Sequence, residues 1–157
     1  MLVEVRIDDS VWNAAADERR REWRVLIAEL IEHHPADGAE KLRLSIATGG
    51  EETILALEQL DGTPASRVAV PDAVLAPHFR AYLEVCKQMT MLDEGSHSAR
   101  LEALDMGKKV THDQAARSLL ERCASVVPDH PTARRLFSLL TSLKFDTTRL
   151  HCGLPGH

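Results

Sequence analysis

The densest run of chemically capable side chains lies between Asp105 and His112. It offers a carboxylate, adjacent lysines at 108 and 109, a hydroxyl at Thr111 and an imidazole at His112, with Gly107 among them. Gly107 weakens a helix. Thr111 and Gln114 have the spacing of a capping box, so the run reads as the end of one helix and the start of another. A helix start exposes backbone N–H groups and carries about half a positive charge, and with Lys108 and Lys109 just ahead of it the restart favours an anion. His112 adds a donor when protonated. Arg134 and Arg135, in the first turn of the last expected helix, complete a fork for carboxylate or phosphate if that helix packs alongside. The expected anion-holding residues are therefore Lys108, Lys109, Thr111, His112, Arg134 and Arg135, with Asp105 orienting a lysine or acting as a base. The plainer reading is an ordinary helix connection, with lysines in solvent and Asp105 paired to a neighbouring base; it is the favoured one, because lysines at such positions are commonly just solvated.

Other chemistries find less support. His97, Asp105, His112 and Asp113 share one stretch but lack the three- or four-residue helical spacing of a ligand pair, and His33-His34 or His151-Cys152 with His157 are as loose. No metal and no cofactor is expected. Cys86 and Cys123 fall on apolar helical stripes, where a thiol behaves as a small hydrophobe, and Cys152 has only His151 beside it. Ser10, Ser45 and Ser66 lack a nucleophile-elbow context. Aspartates such as Asp8-Asp9 more commonly turn or cap than catalyse. The run Arg19-Arg20-Arg21 with Arg24 could meet RNA phosphates, but Glu18 and Glu22 interleave with it and make a self-compensating solvent face the better reading.

The elements that must position these residues follow from periodicity. Val3, Val5 and Ile7 alternate with Glu4, Arg6 and Asp8, a half-buried strand. Asp17 then caps a helix whose stripe is Trp23, Leu26, Ile27, Leu30 and Ile31, ended by Pro35. Leu42, Leu44 and Ile46, the Gly49-Gly50 turn and Ile54 to Leu57 read as a hairpin. Asp61-Gly62 turns the chain into a strand with Val68 and Val70. Helical spacing takes over from Asp72, with Phe79, Tyr82, Leu83, Cys86 and Met89 on one face. A turn at Asp93 to Gly95 leads to Ser96 as the cap of a helix carrying Leu101 and Leu104. Thr111 opens the next, with Leu119, Leu120 and Cys123. Asp129 and Pro131 start the last, with Leu136, Leu139, Leu140 and Leu143.

Strands early and helices late predict an α+β fold: an N-terminal strand and helix, an antiparallel three- to four-stranded sheet, and a helical C-terminal half packed on it. At 157 residues one domain is expected, over 1–146, with 147–157 a mobile tail. Aromatics at 4% argue against base stacking, and a net charge of −5 gives no global pull toward nucleic acid or anionic membrane. Three widely spaced cysteines fit reduced thiols and a cytoplasmic setting. No segment nears the roughly 20 apolar residues that span a bilayer, and the N-terminus lacks a signal peptide's apolar core.

Three motifs carry a resemblance: Arg6-Ile7-Asp8-Asp9-Ser10; Asp105-Met106-Gly107-Lys108-Lys109 followed by His112; and Thr132-Ala133-Arg134-Arg135-Leu136-Phe137. With them the chain resembles a bacterial family catalogued as uncharacterised protein family 0262, over most of residues 3–143. The resemblance implies a similar element order and a cytosolic setting, and it supplies no activity. Val110-Thr111, the loop His33 to Glu40 and the tail after Leu143 depart from the family pattern. The sequence thus points to a non-enzymatic interaction or regulatory module with a protein partner. The alternative is a small enzyme or sensor for an anionic metabolite at Asp105 to His112, and the third reading is weak RNA binding through Arg19 to Arg24.

Overall fold

The computed structural model describes residues 1–35, 38–92 and 98–150. The chain opens with strand β1 (Leu2–Ile7), then a short helix α1 (Asp9–Ala14) and a long one, α2 (Asp17–His33). These return the chain to β2 (Leu42–Ala47), which lies beside β1 in parallel, Val5 opposite Leu44 and Ile7 opposite Ile46. The parallel pair corrects the expectation of a wholly antiparallel sheet: a helical crossover brings the next strand in with the same direction. β3 (Glu52–Gln59) and β4 (Pro64–Pro71) then add antiparallel, in the order β1-β2-β3-β4. The turns fall where glycine permits positive φ, at Gly50 and Gly62, and Asp61 accepts from the Thr63 N–H at 2.9 Å.

Register puts Val5, Ile7, Leu44, Ile46, Leu55, Leu57 and Val70 on one buried face of the sheet. The opposite face carries Glu4, Arg6, Arg43, Ser45, Ala56, Glu58 and Arg67, with Arg43 bonded to Glu4 at 2.8 Å and Glu58 at 3.2 Å. Such alternation makes the sheet a one-sided platform, and the helices cover its apolar side.

Three further helices follow: α3 (Asp72–Thr90), α4 (Ser98–Arg122) and α5 (His130–Lys144). Helix α5 is central. It packs on both α2 and α4, and α4 packs in turn on α3. Asp129 caps it, accepting from the Thr132 N–H at 2.9 Å, and Leu136, Phe137, Leu139, Leu140 and Leu143 are buried behind that cap. Its C-terminal carbonyls are gathered by α2: Arg19 donates to Ser142 O at 3.0 Å and Leu143 O at 3.2 Å, and Trp23 Nε1 donates to Ser142 O at 3.1 Å.

Two expectations shift at the edges of this scheme. Helix α1 is an addition to the expected elements; Asp8 starts it by accepting from the Ser10 N–H at 3.1 Å, and six residues are too few to show a period. The expected tail begins packed rather than loose: Thr147 is buried, its hydroxyl donates to Glu22, and Leu150 rests against the core. The expected Asp93 to Gly95 turn and Ser96 cap lie outside the described residues.

Candidate functional site

Helix α4 runs unbroken from Ser98 to Arg122, so the expected helix end and restart between Asp105 and His112 does not exist. The Thr111 hydroxyl donates back to the Lys108 carbonyl at 2.9 Å instead of capping an N–H. Gly107 is accommodated because one helical glycine costs only about 1 kcal/mol relative to alanine. A Cβ there would meet Val85 Cγ2 of α3 at 3.9 Å, an ordinary contact. The outcome is decided by packing: Ala115, Ala116, Leu119 and Cys123 are fully buried, and the buried stripe continues backwards at helical spacing through His112 and Lys108. The backbone N–H groups of the expected anion site are therefore engaged inside the helix.

The seven residues expected at the site part company. Lys108 is 5% exposed and His112 1% exposed, facing inward. Lys109 points to solvent and pairs with Asp105 at 3.2 Å, the plainer reading for that carboxylate. From α5, Arg134 comes to the α4 side, where Asp113 lies 3.6 Å from its Nε, whereas Arg135 turns to the Pro131 carbonyl at 3.3 Å. Lys108, His112 and Arg134 are thus brought together. Lys109, Thr111, Asp105 and Arg135 are not.

His112 is the most tightly specified of these. Its Nε2 lies 2.8 Å from the Arg134 carbonyl oxygen and 3.1 Å from Ser138 Oγ. A carbonyl can only accept, so Nε2 carries the proton and Nδ1 presents a lone pair. That Nδ1 is buried without a hydrogen-bond partner among the described residues. The ring packs against Tyr82 at 5.3 Å and Phe137 at 5.7 Å between centroids. Burial drives the imidazole pKa down to about 4; the bond to the Arg134 carbonyl opposes this, and the charges of Arg134 and Lys108 reinforce it. His112 is neutral at pH 7.

The Ser138–His112 contact resembles a nucleophile with its base, but the tautomer excludes that role. Nε2 already donates to the Arg134 carbonyl and cannot take the Ser138 proton, and Nδ1 has no carboxylate behind it among the described residues. Tyr82, pushed up to about 12 chiefly by burial, stays a phenol.

Lys108 carries the electrostatic imbalance. Burial lowers its pKa first; Asp105 opposes this, while Lys109 and Arg134 add to it. No hydrogen bond or ion pair to its ammonium occurs among the described residues. Of the carboxylates nearby, Asp105 is bound to Lys109, and Asp113 faces Arg134 at 3.6 Å and His130 at 3.9 Å. Three cations here, Lys108, Lys109 and Arg134, meet two carboxylates.

The remaining sequence-derived candidates resolve into structural roles. Of the arginine run, Arg19 caps α5, Arg20 donates to the Trp12 and Asn13 carbonyls at 2.8 and 3.1 Å, and Arg24 stacks 5.2 Å from the Trp12 ring centre. Arg19 and Arg20 are thus engaged within the fold, while Arg21 and Arg24 stay exposed. Cys86 is engaged in a disulfide, correcting the expectation of three reduced thiols; Cys123 is a free, buried thiol. His97 and the His151, Cys152 and His157 group lie outside the described residues.

Sequence reasoning missed three residues of this neighbourhood: Tyr82, Asp113 as the Arg134 partner, and Ser138. Tyr82 and Ser138 lie on other helices, and no local spacing signals their approach. It weighed His33 only with His34 and passed over Glu29 and Glu32, whose ligand atoms lie within 4.8 Å of one another and of His33 on α2. Their i, i+3, i+4 spacing was legible. They are largely solvent-facing, as acidic groups commonly are.

Comparison with known proteins covers nearly the whole chain. The family model described as "Uncharacterised protein family (UPF0262)" matches residues 1–146. A "UPF0262 protein" of Sphingopyxis alaskensis is 28% identical, covering 90% of this chain and 92% of its own. One of Bradyrhizobium diazoefficiens is 30% identical, covering 90% of each, and one of Mesorhizobium japonicum is 27% identical, covering 90% of this chain and 91% of its own. No solved structure matches.

Proposed function

The chain belongs to the uncharacterised protein family UPF0262, and on that footing we propose that it is a non-enzymatic regulatory module that binds a small anion, phosphate or carboxylate, between α4 and α5. One observation carries this reading: Lys108 is 5% exposed and has no carboxylate of its own among the described residues. The ammonium itself still reaches solvent, but burial of the rest of the side chain without a paired carboxylate disfavours its charged form, and that is relieved either by losing the proton or by gaining an anion. Arg134 stands across from it with a planar guanidinium suited to carboxylate and phosphate. The neutral His112 adds no charge of its own, and its Nδ1 accepts, so it favours an anion that brings a proton to donate, such as hydrogen phosphate or a carboxylate with a hydroxyl beside it.

The non-enzymatic part rests on the His112 tautomer, which denies Ser138 a base. Among the described residues no helix is long and apolar enough to cross a membrane. A thermal-shift series with inorganic phosphate, sulfate, acetate and citrate tests the reading. Binding to the folded state raises the melting temperature with concentration, and Lys108→Met removes the effect while the circular dichroism stays unchanged. No shift with any anion, or the same shift in Lys108→Met, overturns it.

A further inference from the structure

We propose that the outer edge of β1 is a self-association surface, where a second copy of the chain adds its own β1 in antiparallel register and joins two four-stranded sheets into one. β1 is an end strand of the sheet. In a parallel ladder alternate residues aim both backbone groups at the partner strand. Asp8 N–H donates to the Ile46 carbonyl at 3.0 Å, so Asp8, Arg6 and Glu4 face β2 while Ile7 and Val5 aim their N–H and C=O groups outward. Those outward groups have no hydrogen-bond partner among the described residues. A row of this kind is a template for another strand.

The side chains specify which strand. Along Glu4-Val5-Arg6, the regular part of the strand, an acid and a base flank Val5 symmetrically. A two-fold axis through Val5 sets Glu4 opposite Arg6 of the second copy and Arg6 opposite its Glu4; Val3 stands outside this regular pairing, at the ladder irregularity between Leu2 and Glu4. The parity is right as well: Val5 is an outward-bonding residue, so it meets its copy as a hydrogen-bonded pair. The Glu4 and Arg6 pairs then fall at non-hydrogen-bonded positions, where facing side chains come closest. A slide by one residue sets outward-bonding residues against inward-bonding ones and breaks the ladder. A slide by two keeps the parity but moves the axis onto Glu4 or Arg6, where like charges meet face to face. Parity and charge together therefore select the Val5 register.

Shape agrees with charge. Beside the edge a concavity of about 480 Å³ has Val5, Ile7, Trp12, Ile27, Ala28 and Ile31 as its apolar lining. Paired residues of an antiparallel ladder point to the same face. The incoming Val5 and Ile7 would therefore lie over this apolar floor, while the Glu4 and Arg6 pairs lie on the open face. The other edge, β4, offers no such pattern, with proline at both ends and Arg67 between them.

The test is sedimentation velocity of the full chain across a hundredfold concentration range. A reversible dimer is expected. Glu4→Arg and Arg6→Glu should each weaken it about tenfold, since each makes both facing pairs alike in charge. An equimolar mixture of the two variants should restore dimers, because one then presents two guanidinium groups to the two carboxylates of the other. Hydrogen exchange on the unaltered chain supplies a second readout: the Val5 amide should be protected at high concentration and exposed on dilution. A monomer at every concentration overturns the proposal. So does a dimer indifferent to both variants, or one whose Val5 amide exchanges at a rate independent of concentration.

Discussion

Lowering the pH from 7.5 to 5.0 should destabilise the fold by about 2 kcal/mol through His112 alone. The native imidazole titrates at about 4 against an ordinary value of 6.5. Between those values the unfolded chain holds a proton that the folded chain does not, so stability is full above about pH 7 and falls as the pH drops toward 4. At roughly 1.4 kcal/mol per unit, the gap sets a ceiling of about 3 kcal/mol, most of it reached by pH 5. The assay is urea unfolding at both pH values for the unaltered chain and for His112→Gln, whose amide can still donate to the Arg134 carbonyl. The other histidines contribute to both proteins and cancel in the difference. If both proteins lose the same stability on acidification, the reasoning fails. It fails equally if the His112 ring titrates near 6.5 by NMR, or if its Nδ1 carries the proton in the folded state.

Two further outcomes follow from the packing around the same helices. Gly107→Ala should stabilise by roughly 0.5–1 kcal/mol in chemical denaturation, because the position is mid-helix and the new methyl meets Val85 Cγ2 at an ordinary 3.9 Å; a loss of stability would mean that the helix is interrupted there. Arg19→Ala should cost about 1.5–3 kcal/mol in the same assay, since its charged bonds to the Ser142 and Leu143 carbonyls tie α2 to the end of α5. Arg19→Lys should recover only part of this, because one ammonium reproduces the two-carbonyl geometry poorly.

What can be read from the chain beforehand depends on how local the deciding interactions are. The Gly49-Gly50 and Asp61-Gly62 turns and the Asp129 cap involve neighbours a few residues apart, and each stands in the structure; the β1 alternation holds from Glu4 to Ile7, but an irregularity between Leu2 and Glu4 buries Leu2 in place of Val3. The expected Asp105 to His112 break fails because a local glycine penalty of about 1 kcal/mol is overridden by tertiary packing that local spacing does not show. The apolar period, followed straight through Gly107, puts Lys108 and His112 in register with Ala115 and Leu119. Their polarity argues for solvent, and the helix buries them regardless. The His112 partners are illegible for a different reason: the Arg134 carbonyl is 22 residues away and Ser138 is 26, on a helix whose approach is set by the fold. The arginines of α2 are legible as compensated, but their partners are not, since Arg19 reaches carbonyls more than a hundred residues distant.

The claim that Lys108 awaits an anion is tested most directly at its own ammonium. With ¹³C-labelled lysine, NMR can follow the Lys108 Cε resonance through a pH titration with and without saturating inorganic phosphate. The Lys108 pKa should lie below the ordinary lysine range without phosphate, because of burial and the charges of Lys109 and Arg134, and should shift upward with it, because a bound anion favours the charged form. Arg134→Gln should shrink that phosphate-induced shift. A Lys108 pKa that phosphate leaves where it was would contradict the account.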